Sequence, residues 1–243
     1  MVRKILPIVL VALIMPLMAF ANIIVDPGFE GSTNPDLGFS PTFDTWMGDY
    51  SEIVSSENGI SPVEGTGMLD FIYTSAGPGS YSGCDIYQLI DMAAYSDEIA
   101  TGSFEITSSA YFNRVAGDDQ TDTGFALTLY AMDGDVTVFP SQISSGDYLD
   151  MTRQIVYSDS DLDTWEMALV SFILPVGTDF IALHLCAAET TYNDLDGTEF
   201  DGHYADNISL EVAAAPVPEP ATMILFGTGL IGLASFSRRK RKK

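Results

Sequence analysis

The sequence predicts an all-β fold, an antiparallel jelly-roll β-sandwich, and three observations carry that expectation. Between residues 22 and 212 the apolar residues fall in short runs of period two or in β-rich blocks, at 23–25, 68–73, 85–90, 103–112, 125–132, 165–174, 180–186 and 208–212. Turn signals separate the runs: Asp26-Pro27-Gly28, Glu57-Asn58-Gly59, Gly77-Pro78-Gly79, Asp133-Gly134, Pro175-Val176-Gly177 and Asp196-Gly197. Nothing alternates strand with long helix, which excludes a parallel α/β sheet and leaves the sandwich.

Taken in order, residues 1–21 read as a signal peptide. Arg3 and Lys4 form the charged start, residues 5–18 an apolar stretch broken by Pro7 and Pro16, and Ala19-Phe20-Ala21 a small-residue cleavage site, with removal expected after Ala21. Residues 22–212 form one β-sandwich domain without internal break or repeat. Its clearest strand is 125–132, where Phe125, Leu127 and Leu129 alternate with Ala126, Thr128 and Tyr130, so one face is buried. Trp46 and Trp165 lie on strand-like runs and are assigned to the core. Residues 93–100 read as the one short helix or turn.

Residues 213–220 are a linker stiffened by Pro216, Pro218 and Pro220. Residues 221–236 follow as 16 residues without a charge, a transmembrane helix of roughly 24 Å. That is a little short of the roughly 30 Å hydrocarbon core, so flanking basic side chains snorkel or the bilayer thins. In the tail at 237–243, six consecutive cations place this end in the cytoplasm and everything before Val217 outside.

Charge is segregated along the chain. The net charge of −24 hides a domain in which Arg114 and Arg153 stand against 33 carboxylates with no lysine. Such a surface repels nucleic acid and anionic polymers, and it attracts cations, divalent ones above all. Adaptation to a saline habitat and a specific calcium dependence both account for it. The two cysteines, Cys84 and Cys186, sit in an exported chain, where one disulfide closing a loop of about 100 residues is expected to add up to about 4 to 5 kcal/mol. Two buried thiols are the alternative.

The order Val217-Pro218-Glu219-Pro220, apolar segment, terminal Arg/Lys cluster resembles the PEP-CTERM sorting signal of bacterial surface proteins. The resemblance covers about a tenth of the chain and implies recognition by an exosortase, a membrane-embedded transpeptidase-like enzyme. Delivery to the cell surface or an exopolysaccharide matrix follows. A plain C-terminal membrane anchor is the alternative.

A second resemblance covers most of the domain. The opening at residues 23–30, Trp46, Tyr87-Gln88-Leu89-Ile90-Asp91, the turn at 174–178 and the closing Tyr204-Ala205-Asp206-Asn207-Ile208-Ser209-Leu210 are similar to galactose-binding-like β-sandwiches, the fold of many carbohydrate-binding modules. That resemblance implies a structural Ca²⁺ between the first and last strands, held by Glu30 and Asp206 with oxygens of the turn that begins at Asp26. Calcium takes six to eight hard oxygen ligands, and carboxylate-rich loops supply them. A shared fold does not carry function with it.

Other constellations are weaker. Asp194, Asp196, Asp201 and His203 crowd one loop, and Asp159, Asp161 and Asp163 another; neither has EF-hand spacing, and solvated loops explain both. A sugar site needs an aromatic platform beside hydrogen-bonding groups, for which Tyr50, Tyr111, Tyr148, Tyr192 and Tyr204 are candidates. No His-Glu-x-x-His, Gly-x-Ser-x-Gly or phosphate-binding loop is present, and Gly79-Ser80-Tyr81-Ser82-Gly83 puts tyrosine at its centre. His184 falls in a strand as a buried or lining residue. The expected protein is an exported, exosortase-sorted surface or matrix protein with a non-catalytic, carbohydrate-associated sandwich. A purely structural surface protein and a carbohydrate-active hydrolase are the alternatives.

Overall fold

The alternation read at residues 125–132 is the centre of a two-sheet sandwich. The computed structural model describes residues 20–31, 33–72, 82–115, 123–159, 161–189 and 202–213. Ala21–Ala213 form one compact unit. Of the other unit, Met1–Phe20 with Ala214–Lys243, only Phe20 is among the described residues. Residues 1–19 of the expected signal peptide, the sorting motif, the apolar segment at 221–236 and the basic tail therefore lie outside them, while the peptide's last two residues, Phe20 and Ala21, fall in the first strand. Among the described residues no helix is long and apolar enough to cross a membrane.

The strands are β1 (Phe20–Asn22), β2 (Asp36–Leu37), β3 (Trp46–Gly48), β4 (Ser51–Val54), β5 (Met68–Phe71), β6 (Ser82–Asp91), β7 (Glu105–Arg114), β8 (Thr123–Met132), β9 (Asp150–Tyr157), β10 (Glu166–Ile173), β11 (Phe180–Glu189) and β12 (His203–Ala213). One sheet has the order β10-β7-β12-β5-β4, with β1 also on β12; the other runs β2-β3-β6-β11-β8-β9. The long strands pair antiparallel, and β2 with β3 is parallel.

Between the sheets the inward residues of both form one apolar layer, including Ile86, Ile106, Phe112, Phe125, Leu127, Leu129, Leu183, Leu185 and Leu210. Phe125 stacks on Phe112 at 5.1 Å and lies 6.4 Å from Phe71. Each such buried side chain contributes roughly 1.5–3 kcal/mol. Trp46 is buried, with its Nε1–H donating to Val25 O and Asp26 O, and it packs on Phe29 at 5.1 Å. Trp165 is half-buried in a small separate cluster with Ile60, Met68 and Tyr204.

A second apolar layer covers part of the outer face of the β6–β11–β8 sheet. Helix α1 (Ser96–Ile99) falls within the 93–100 segment, as expected. Helix α2 (Phe139–Ser145) was not legible in the sequence. Its Pro140 sits in the first turn, where no N–H is required, and Gly146 ends it in the left-handed region at φ 72°. Phe139 and Ile143 of α2 pack on Met47, Tyr87, Leu89, Tyr130, Met132 and Phe180. Residues 23–25, expected as a strand, lie outside the strands; Ile23 N donates to Leu210 O, and Val25 exchanges two bonds with the Gln88 side chain.

The disulfide expectation is corrected. Cys84 lies opposite Ala187, and Cys186 opposite Asp85, across the same β6–β11 pair. Because side chains alternate sides along a strand, Cys84 points into the core and Cys186 to the outer face. The two are buried thiols that do not bond to one another. Reducing agent is expected to leave the melting temperature unchanged, and thiol titration in denaturant to return two equivalents per chain; one equivalent or none would mean the pairing is misread.

Candidate functional site

From α2 towards β9 the outer face carries side chains in register, buried at its centre and exposed on the edge strand. Antiparallel pairing lines up Met47, Tyr87, His184, Thr128 and Arg153 side by side across β3, β6, β11, β8 and β9. The next row on the same side is Asp85, Cys186, Ala126 and Ile155, and the one after it Gly83, Ala188, Gly124 and Tyr157. The central strands thus present a floor of small residues, bordered on the edge strand by Ile155 (49% exposed) and Tyr157 (69% exposed). Both lean over Gly124, whose missing Cβ would stand 3.5 Å from Tyr157 Cε1 and 3.6 Å from Ile155 Cγ2.

Four groups give this face its chemistry. His184 is almost fully buried and stacks on Tyr87, with ring centres 4.3 Å apart and 8° between planes. Its Nε2 lies 2.8 Å from Asp85 Oδ1. Burial works against the Asp85 carboxylate, yet the bond from His184, with the Cys186 thiol and Arg153 behind it, holds its pKa below the usual range. Burial, then the Asp85 charge, pushes the Cys186 thiol well up, so the group is a thiol and not a thiolate at neutral pH. Arg153, one of only two cations in the domain, donates from Nε to Thr128 Oγ1 at 2.9 Å. Asp49 accepts from Asp85 N at 3.0 Å, and burial with the neighbouring Asp85 charge raises its pKa.

At the chain ends the structure brings Glu30 and Asp206 to either side of Gly28. A Cβ on Gly28 would stand 3.8 Å from Asp206 Oδ1 and 4.0 Å from Glu30 Oε1. Asp206 sits at a register shift of β12 on β7, and Asn207 beside it has a φ of 50°. Such a bulge re-aims a side chain that regular pairing would leave pointing elsewhere. The turn at 26–29 holds two more non-glycine residues in the left-handed region, Asp26 at φ 50° and Phe29 at φ 51°, and strain of this kind collects at sites.

The two carboxylates differ in state. Glu30 accepts from Gly67 N, Thr66 N and Thr66 Oγ1, which lowers its pKa. Asp206 is fully buried, and desolvation outweighs its backbone donors; with the Glu30 charge beside it, its pKa is pushed up to about 6. The Asp26 carboxylate instead closes its own turn, accepting from Glu30 N and Gly31 N. Two oxygen ligands converging on a space that a Cβ would fill are the donor chemistry a hard cation takes.

The tyrosine candidates scatter. Tyr204 is fully buried, its hydroxyl accepting from Asn58 and donating to Glu57, and Tyr148 packs edge-on to Tyr130 under α2. Tyr50 is exposed and bonds Glu52, and Tyr111 is half-buried in the other sheet. Tyr192 and the acids 194, 196 and 201 lie outside the described residues, while Asp159, Asp161 and Asp163 tie up their own loop. The sequence marks Arg153 only as a rare cation and does not mark Tyr157, because β9 alternates with polar Thr152 and Gln154 on its other side.

Residues 216–242 match the PEP-CTERM protein-sorting motif. The protein carries a PEP-CTERM sorting signal. This motif marks an exported, cell-surface-sorted protein and implies processing by an exosortase. No curated protein matches the chain. Among solved structures the chain is similar to TmCBM61 in complex with β-1,4-galactotriose, at 13% identity over 78% of this chain and 97% of that one, with a TM-score of 0.45. It is similar also to the CBM22-1 xylan-binding domain from Paenibacillus barcinonensis Xyn10C, at 14% identity over 82% and 99%, with a TM-score of 0.42. A third is the C-terminal family 22 carbohydrate-binding module of Clostridium thermocellum Xyn10B, at 16% identity over 79% and 94%, with a TM-score of 0.41.

Proposed function

We propose that this exported surface protein is a non-catalytic glycan-binding module of the extracellular matrix, and that its binding face is the β9 side of the outer face of the β6–β11–β8–β9 sheet. The observation that carries the reading is the placement of the exposed Tyr157 and Arg153 on one edge of a small-residue floor, with the half-exposed Asp85 on its other side. A pyranose offers an apolar face to an aromatic ring and hydroxyls to charged groups around it, and this face has both. It is notable in charge as well, since an acidic domain with two arginines commits one of them here.

We also infer that Ca²⁺ joins Glu30 to Asp206 across Gly28, closing the start of the chain onto β12. Its role is structural, and it lies outside the glycan face.

A glycan array probed with the protein in calcium tests the first reading. Saturable, selective signals are expected, weakened at least about tenfold by Tyr157→Ala, a loss of roughly 1.4 kcal/mol. Because Tyr157 is exposed, that variant stays folded. Signals absent from every glycan would leave a scaffold, and signals indifferent to Tyr157→Ala would move the site elsewhere.

A further inference from the structure

We propose that Asp85, His184 and Cys186 form a site for a borderline transition-metal ion, Zn²⁺ above all, on the outer face of the second sheet. The proposal does not depend on the glycan reading. His184 and Cys186 are two residues apart on β11, so both project to one side, and Asp85 stands directly opposite Cys186 on β6. Their ligand atoms all lie within 4.8 Å of one another. A tetrahedral zinc ion sets its ligands roughly 3.5 Å apart. The 2.8 Å His184–Asp85 contact therefore needs to open by under about 1 Å, within reach of side-chain rotation.

The nitrogen that would ligate is Nε2, which lies against Asp85, while the ring stacked on Tyr87 fixes its direction. The His184 residue is 3% exposed and Cys186 5%, so two of the three ligands are held by packing before any ion arrives.

The donor set selects the ion. A thiolate, an imidazole and a carboxylate suit Zn²⁺ or Co²⁺, whereas Ca²⁺ takes oxygens only. The chain thus separates hard from borderline cations between the Glu30–Asp206 cradle and this tripod. The Asp85 side chain is 41% exposed and His184 only 4%, so the ion enters from the Asp85 side and a water completes the tetrahedron there. On binding, Cys186 gives its thiol proton to solvent, and the His184 proton moves from Nε2 to Nδ1. One proton is released per ion. Asp49 and Arg153 also act on this cluster, with opposite signs.

The test uses the intact protein, stripped with chelator and titrated with Co²⁺ in calcium-containing buffer. A near-ultraviolet thiolate-to-cobalt band and tetrahedral visible bands are expected, saturating at one ion per chain, bleached by Zn²⁺ and unmoved by added Ca²⁺. Cys186→Ser and His184→Gln lose the thiolate band or the tetrahedral bands respectively, while Cys84→Ser, on the opposite side of the sheet, keeps both. Each variant is checked for a cooperative melt, and Asp85→Asn, at a half-exposed position, serves where a buried variant does not fold. Folded wild-type protein without the thiolate band, or a band that survives Cys186→Ser, overturns the site.

Discussion

Asp206→Ala destabilises the domain by about 3 kcal/mol in denaturant unfolding, the sum of orphaned amides less the relief of removing a buried charge. Asp206 accepts from Val63 N at 2.6 Å, Glu64 N at 3.2 Å and Asn207 N at 2.6 Å. Each unsatisfied donor costs roughly 1–3 kcal/mol, less where water reaches it. Asp206→Asn keeps one acceptor oxygen and loses less. The same residue fixes a pH dependence. Its pKa in the folded protein, about 6, lies above the roughly 3.9 of an unfolded chain, so between those values the folded state binds more protons. Without metal, this group's contribution therefore grows as pH falls from 7 to 4 and is lost as pH rises through 6. Calcium binds only the ionised form, so it raises the melting temperature at pH 7 and cancels the gain on acidification. Equal melting temperatures in calcium and in chelator would remove the ion from Glu30 and Asp206 while leaving the hydrogen-bond prediction standing.

The other large effect is Gly48→Ala, expected to cost more than about 3 kcal/mol and to weaken glycan and metal binding together. A Cβ at Gly48 would stand 2.1 Å from Asp85 O and 3.0 Å from Ile86 Cα, at a φ of 146° that side chains rarely adopt. The obstacle is backbone, so β3 must move off β6. That breaks the bond from Asp49 N to Asp85 O and shifts Asp85, which belongs to both proposed sites. Gly134→Ala is the control: φ is 83° and nothing lies within 4 Å, so only conformational strain of about 1–2 kcal/mol is expected. Similar losses in the two variants would show that the contact at Gly48 relaxes.

How much of this was legible in the sequence follows from the range of the interactions. Period two in residues 125–132 and 180–186 exposes the buried faces of β8 and β11, because hydrophobic alternation is local. Edge strand β9 and helix α2 were missed: one carries Thr152 and Gln154 where a buried row would be apolar, the other begins at a phenylalanine followed by proline. The spacing of His184 and Cys186 is visible as neighbours on one side of a strand, but Asp85 is 99 residues from His184, and only the β6–β11 register brings it in. The same register refutes a disulfide that cysteine counting favoured. Glu30 and Asp206 were placed together only through a resemblance, since nothing local signals a contact between the chain's ends.

Strand β12, from which the chain leaves at Ala213, is interior to its sheet, gripped by β7 on one side and by β5 and β1 on the other. A pull from that end cannot peel an outermost ribbon one bond at a time. It must shear two rows of bonds at once, so a body tethered there would withstand drag from flow better than one held by a strand at the sheet's margin.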